Sequence, residues 1–269
     1  MNFSDVPVFI LAGGLGTRIR EETEFRPKPM VPIGDQPVLW HIMKKYNLHG
    51  FSRFVVCTGY KSEIIKSYFL NYDAMHSDFT VDLHTHRVTT HSTDHEEPWQ
   101  VTVSYTGEKT MTGSRVRMAA SRYLGAAEHF AVTYGDGLTD VDLAEEFAYH
   151  KSHGKIGTVL GISPASRFGE FMLDGDTVLK FSEKPAETGS WINGGFFFFK
   201  KEFLEYLPDG EDVILERDPL QKLSDDRELN VFLHRGFWQC MDTQRDRELL
   251  EAEYLSGKAP WLKSGAKIS

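Results

Sequence analysis

The chain is poor in cysteine and has no surplus of positive charge. Two cysteines, Cys57 and Cys240, stand in 269 residues. They offer neither a disulfide framework nor the spacing of a structural zinc site. Lys and Arg number 30 against 39 Asp and Glu, a formal net charge of −9. A nucleic-acid binder normally shows a basic surplus, so the balance argues against that class of partner. No run approaches the ~18 apolar residues of a membrane span. No basic segment leading into an apolar core and a cleavage site opens the chain. The expectation is a cytoplasmic protein that does not enter a membrane.

Two familiar phosphate motifs are missing as well. The Walker loop needs Gly-Lys-Ser/Thr after its second glycine, and none follows Gly14 or Gly16. The dinucleotide fingerprint counted from Gly14 would need glycine at position 19, where Ile19 stands. Asp-x-Asp, a metal motif of glycosyltransferases, occurs as Asp140-Val141-Asp142, but there it reads as the start of the helix DVDLAEEF.

What the chain does have is concentrated at residues 8–30, VFILAGGLGTRIREETEFRPKPM. Four apolar residues, Val8 to Leu11, run into Ala12-Gly13-Gly14-Leu15-Gly16, followed by Thr17-Arg18 and an isolated Lys28 between two prolines. A buried strand ending in a glycine turn exposes backbone N–H groups that no side chain crowds, a cradle for phosphate oxygens. Arg18 and Lys28 add charge beside it. The pattern points to a site where a nucleoside triphosphate is held and attacked.

Further along, β-rich runs at 53–59, 101–106, 130–136, 156–162, 178–183 and 194–200 alternate with helical patterns. This predicts an α/β fold with a mostly parallel central sheet, and ligands bind beyond the carboxyl ends of such strands. The glycine loop and Gly135-Asp136-Gly137 both follow strand ends and should face each other. A hairpin is expected at Asp174-Gly175-Asp176, and a terminal helix ending at Gly257. The chain reads as one domain, 1–269, with a strand-rich second half. The His-rich stretch 84–98 matches no standard metal spacing and reads as a solvated loop or strand edge.

Several residues have chemistry to offer, each beside a plainer reading. Asp136 between glycines suits a hard cation such as Mg²⁺, or is a turn residue. Asp242 in FWQCMDTQRD is a second metal candidate, unless it or Thr243 caps the terminal helix. Glu183 and Lys184 close a strand at Pro185, as ligands or as a surface ion pair. Asn193 precedes two glycines that would admit a close ligand, while the four phenylalanines after them suit the core. Thr112-Gly113-Ser114 looks like a helix entrance. That puts Arg115 in a first turn, where the dipole disfavours cations and an anion or base nearby would explain it.

Together these segments resemble the sugar-1-phosphate nucleotidyltransferases: LAGGLGTR, RPKPM, YGDG, FSEKP, INGGFF and MDT occur in that family's order. EPWQVT, TMTGSR, GFWQCMDTQRD and GKAPW are similar to its glucose-1-phosphate cytidylyltransferase branch. The resemblance implies a nucleotide-binding α/β sandwich on a mixed sheet, the nucleotide-diphospho-sugar transferase fold. It implies transfer of a cytidylyl group from CTP to a sugar 1-phosphate, glucose 1-phosphate first among them, with Mg²⁺ and release of pyrophosphate. On this chain it assigns Arg18 and Lys28 to the phosphates, and Asp136 and Asp242 to the metal. Leu11, Ala12, Gly13, Gly14, Gly16, Thr17, Gly113 and Arg115 go to the nucleotide. Gly169, Glu183, Lys184 and Asn193 go to the sugar phosphate. A homo-oligomer is expected, with FLNYDAM and APWL as candidate contact segments. Two stretches depart from the family's habit, Arg167-Phe168-Gly169-Glu170-Phe171 and ILERDPL at 214–220. Both bear on the sugar and keep open a different phosphorylated acceptor. A non-catalytic regulator on the same fold is the other alternative.

Overall fold

Val8–Ala12 is five apolar residues in succession, and all five are buried. A run without alternation belongs to a strand covered on both faces. It forms β1, an interior strand of a seven-stranded sheet. This is seen in a computed structural model that describes residues 3–91, 97–163, 170–174, 176–182 and 191–263. The other strands are β2 (Arg53–Thr58), β3 (Gln100–Tyr105), β4 (His129–Tyr134), β5 (Gly157–Ile162), β6 (Ile192–Lys200) and β7 (Leu229–His234). Their order is β7-β5-β6-β4-β1-β2-β3. Only β6 runs against its neighbours β5 and β4; every other pair is parallel. The sheet is therefore mixed and mostly parallel, as the alternation of strands and helices predicts.

Strand periodicity builds two cores from one sheet. Val8, Ile10, Phe54, Val56, Phe196 and Phe198 share one face with Val38, Leu39, Ile42 and Tyr46 of helix α1 (Val38–Leu48). Phe9, Leu11, Val55, Cys57, Phe197 and Phe199 share the other with Val116, Ala119 and Ala120 of helix α2 (Thr112–Tyr123). The four consecutive phenylalanines are thus divided between the two layers, all within 1% of complete burial.

Helix α3 (Leu143–His153) starts at Asp142, whose carboxylate accepts from the N–H groups of Ala144 and Glu145. The Asp-x-Asp letters are a helix cap. Under α3 lies a chain of imidazoles. Lys155 N–H donates to His153 Nδ1 at 3.0 Å, which leaves the His153 Nε2–H to donate to Thr158 Oγ1 at 2.7 Å. The Thr158 hydroxyl then donates to His150 Nδ1 at 2.9 Å, and His150 Nε2–H to His129 Nδ1 at 3.1 Å. Each neutral ring has one donor and one acceptor, so the chain has a single direction.

Helix α4 (Gln244–Leu255) is capped by Thr243 in a capping box with Asp246. Asp242 is not the cap. The segment Asp78–Asp82 pairs with Arg87–His91 as an exposed ribbon, a strand edge as expected of the His-rich stretch; 92–96 lie outside the described residues. Strands Glu170–Asp174 and Thr177–Ser182 form the expected hairpin. Trp261 of the APWL segment is fully buried and donates to His41 Nδ1, so it is core rather than contact surface. Among the described residues no helix is long and apolar enough to cross a membrane.

Candidate active site

Strands β1 and β4 are parallel neighbours, so their carboxyl ends lie side by side. The glycine loop leaves one and Gly135-Asp136-Gly137 leaves the other. Gly135 N–H donates to Leu11 O at 3.0 Å and ties the two exits together. Between them opens a cleft of about 590 Å³. Its wall includes Leu11, Ala12, Gly13, Gly14, Gly16, Thr17, Arg18, Lys28, Arg115, Asp136, Asn193 and Asp242. Gly113 is not among the lining residues; its N–H donates to Val213 O at 2.8 Å and its Cα packs against Val213. Gly169, Glu183 and Lys184 lie outside the described residues.

The floor of the cleft is an ionic cluster. Lys28 Nζ donates to Asp136 Oδ2 at 2.5 Å and to Asp242 Oδ1 at 2.7 Å. Arg18 Nη1 donates to Asp242 Oδ2 at 2.5 Å. Lys28 is delivered by a short turn, Lys28–Met30, whose Pro29 and Met30 are buried and whose Val31 N–H closes on Lys28 O. Two segments more than a hundred residues apart bring the carboxylates together. Trp238–Cys240 pairs antiparallel with Gly137–Thr139, and Met241 N–H donates to Asp136 O at 2.9 Å. Since Thr243 does the capping, the Asp242 carboxylate is free to point into the cleft.

Electrostatics follow from that geometry. Burial alone would lower the Lys28 pKa, but Asp136 and Asp242 outweigh it and hold the ammonium above its ordinary value. Partial burial works to raise Asp242, yet its bonds to Lys28 and Arg18 keep it below the usual carboxylate range. Both carboxylates bond the same Lys28 ammonium, so a small cation seated where Nζ stands would meet an oxygen of each. Two carboxylates make an incomplete shell, and no group of three acidic, His or Cys side chains among the described residues could hold a metal. A hard ion that keeps waters and takes phosphate oxygens fits such a donor pair; a soft or four-ligand ion does not.

Arg115 is buried, and its unfavourable place in the first turn of α2 has a local answer. Its guanidinium donates to the carbonyl oxygens of Gly13, Thr58, Gly107 and Glu108 and to Thr106 Oγ1. Five neutral oxygen acceptors offset the unfavourable position; none of them is the anion or base that the sequence suggested. A side chain at Gly13 would overlap this guanidinium, which is why the loop needs glycine there.

Sequence reasoning passed over Tyr134, Glu216 and Trp238. Tyr134 immediately precedes Gly135, and its strand position sends its ring into the cleft wall. The Tyr134 hydroxyl donates to Glu216 Oε1 at 2.5 Å. Trp238 Nε1–H donates to Gly194 O at 2.7 Å. The signal for Glu216 was the unusual ILERDPL stretch; nothing in the letters tied it to Tyr134.

Residues 8–254 match the family described as nucleotidyl transferase. Glucose-1-phosphate cytidylyltransferases from Salmonella typhi and Salmonella typhimurium are each 45% identical over 252 residues, 94% of this chain and 97% of theirs. A solved structure of UDP-glucose pyrophosphorylase with UDP-glucose superposes with a TM-score of 0.66 at 16% identity, covering 94% of this chain and 99% of its own. At that identity the likeness speaks for the fold alone.

Proposed function

The chain belongs to the nucleotidyl transferase family, and from that premise we propose that it joins CTP to glucose 1-phosphate, forming CDP-glucose and releasing pyrophosphate. Near full-length similarity to the two Salmonella cytidylyltransferases supports the substrate pair. One observation carries the chemistry: a lysine and an arginine converge with two carboxylates beside an open glycine loop.

In this reading the nucleophile is a phosphate oxygen of the sugar 1-phosphate. Its second pKa is about 6, so the group is mostly dianionic at neutral pH and needs no general base. It forms a bond to the α-phosphorus of CTP as the bond to pyrophosphate breaks in line. The obstacle is repulsion between polyanions. Lys28 would sit between the two reacting phosphates, and Arg18 would carry charge on the α-phosphate and the leaving pyrophosphate. Asp136 and Asp242 would hold Mg²⁺, which supplies further neutralisation of phosphate charge. The N–H groups of the glycine loop hold the nucleotide, with Arg115 fixing the loop from behind. Asn193 faces the sugar.

The test is a substrate matrix of four nucleoside triphosphates against several sugar 1-phosphates, with and without Mg²⁺, read by pyrophosphate release. CTP with glucose 1-phosphate and Mg²⁺ should give the highest kcat/KM. Faster turnover of another pair, or none with any pair, would overturn the reading.

A further inference from the structure

The ILERDPL stretch is held in place by backbone bonding to the start of α2. Met111 N–H donates to Glu211 O and Gly113 N–H to Val213 O, both at 2.8 Å. In return Val213 N–H donates to Ser114 Oγ at 3.1 Å and Leu215 N–H to Thr112 Oγ1 at 2.9 Å. This lacing fixes the next residue, Glu216, at the edge of the cleft. Its carboxylate accepts from two hydroxyls, Thr112 at 2.8 Å and Tyr134 at 2.5 Å. A carboxylate cannot donate here, so the Tyr134 proton must point at Glu216 and its lone pairs away. Asn193 Nδ2 meets that phenol oxygen at 3.4 Å, while Asn193 Oδ1 accepts from Gly195 N–H at 2.8 Å. The Gly195 N–H can only donate, so the amide has one orientation. Gly195 itself has φ +78°, and a Cβ there would overlap the Tyr134 ring. The close approach of ring to backbone therefore depends on glycine.

We propose that Glu216 is a positioning residue for the sugar: acting through Tyr134, it locks the Asn193 amide with Nδ2–H presented to the cleft, so that a sugar hydroxyl is read there as an acceptor. The proposal rests on the reading that Asn193 faces the sugar. Without the carboxylate, the phenol proton is free to turn toward Asn193 Nδ2–H, where donor meets donor, and the amide is then held only by its bond from Gly195 N–H. The effect falls on the acceptor sugar and leaves the nucleotide side alone, because Glu216 touches neither the glycine loop nor the ionic floor.

The experiment compares wild type, Glu216→Ala, which leaves no acceptor for the phenol, Tyr134→Phe and the double variant. With the sugar 1-phosphate that wild type turns over best, each single variant should raise KM for that sugar ~5–10-fold, the loss of roughly one hydrogen bond. KM for CTP should stay put, and the double variant should be no worse than either single one. A second readout needs no turnover. The Asn193 side-chain amide, assigned in ¹H–¹⁵N spectra by its loss in Asn193→Asp, should give two well-separated proton shifts in wild type that draw together in Glu216→Ala. Unchanged amide shifts, or equal changes in both KM values, would overturn the proposal. Wild type that turns over no sugar phosphate would instead count against the proposed function, with the amide spectra still deciding the role of Glu216.

Discussion

Lys28→Met separates the two consequences of the ionic floor. Methionine keeps most of the length and removes the charge. In the wild type one ammonium bonds Asp136 at 2.5 Å and Asp242 at 2.7 Å. Removing it leaves two carboxylates facing each other within ~5 Å, a repulsion of ~3 kcal/mol at an effective dielectric near 20. That energy is available to any cation that enters the gap. Mn²⁺ binding to the substrate-free variant, followed by electron paramagnetic resonance, should therefore tighten at least ~10-fold, which needs only ~1.4 kcal/mol of the total. Turnover should move the opposite way. Losing a cation from between two reacting phosphates should cost ~3–4 kcal/mol of barrier, or ~10²–10³ in single-turnover rate. Near-normal single turnovers would refute the catalytic part of the reasoning. Unchanged or weaker Mn²⁺ binding would refute the claim that ammonium and metal compete for one seat.

Arg115→Met removes five donated hydrogen bonds; the Gly13 and Thr58 carbonyls keep backbone N–H partners while those of Gly107 and Glu108 lose the donor they have here, so urea denaturation should show a loss of ~3 kcal/mol, and CTP binding measured by calorimetry should weaken with it. Burial first, then neighbouring positive groups, hold His150 down to about 3 and His49 to about 4. Unfolded imidazole titrates near 6.5, so the unfolded chain takes protons first as pH falls, and stability present above pH 6.5 is lost progressively below it. Between pH 7.5 and 5.0 the two rings should cost ~4 kcal/mol, and His150→Gln should recover ~2 kcal/mol of that difference; equal pH dependence in both proteins would refute the assignment. Chelation of divalent ions by EDTA should abolish pyrophosphate release and weaken CTP binding together; CTP binding at full strength in EDTA would detach the metal from nucleotide binding.

Much of the site was legible because its parts are local. Glycine after a buried strand, a cation two residues beyond a glycine and an acid between glycines are features of chemistry that adjacent letters carry. The sheet was legible for the same reason: period and length distinguish a strand covered on both faces from an amphipathic helix. What resisted reading depends on long-range hydrogen bonding. Whether Asp242 capped a helix or faced a ligand could not be settled from DTQRD, because Thr243 is an equally good cap; only the pairing of Trp238–Cys240 with Gly137–Thr139 aims the carboxylate. Arg115 looked misplaced because the acceptors that satisfy it come from three other segments, at Gly13, Thr58 and 106–108. The lack of a side chain at Gly113 also admits the close packing of Val213, a residue a hundred positions away that the letters around Gly113 do not reveal.

The cleft also resolves how a chain with a net charge of −9 could gather two polyanions. Among the described lining residues, every cation already has a protein partner: Lys28 and Arg18 on carboxylates, Arg115 on carbonyls. The positive charge is thus held back, to different degrees. Arg18 is 73% exposed, and an ion pair in that setting contributes only ~0–1 kcal/mol, so a phosphate can draw it away readily. Lys28 is 13% exposed and bonded twice, so releasing it from Asp136 and Asp242 is harder unless another cation satisfies them. A divalent ion on the carboxylates and phosphate on the two freed cations would therefore favour each other. By reciprocity, each should tighten the other's binding by the same factor. On that reading the carboxylates would keep the empty cleft from holding phosphates indiscriminately, and would make release of its charge conditional on a bound cation.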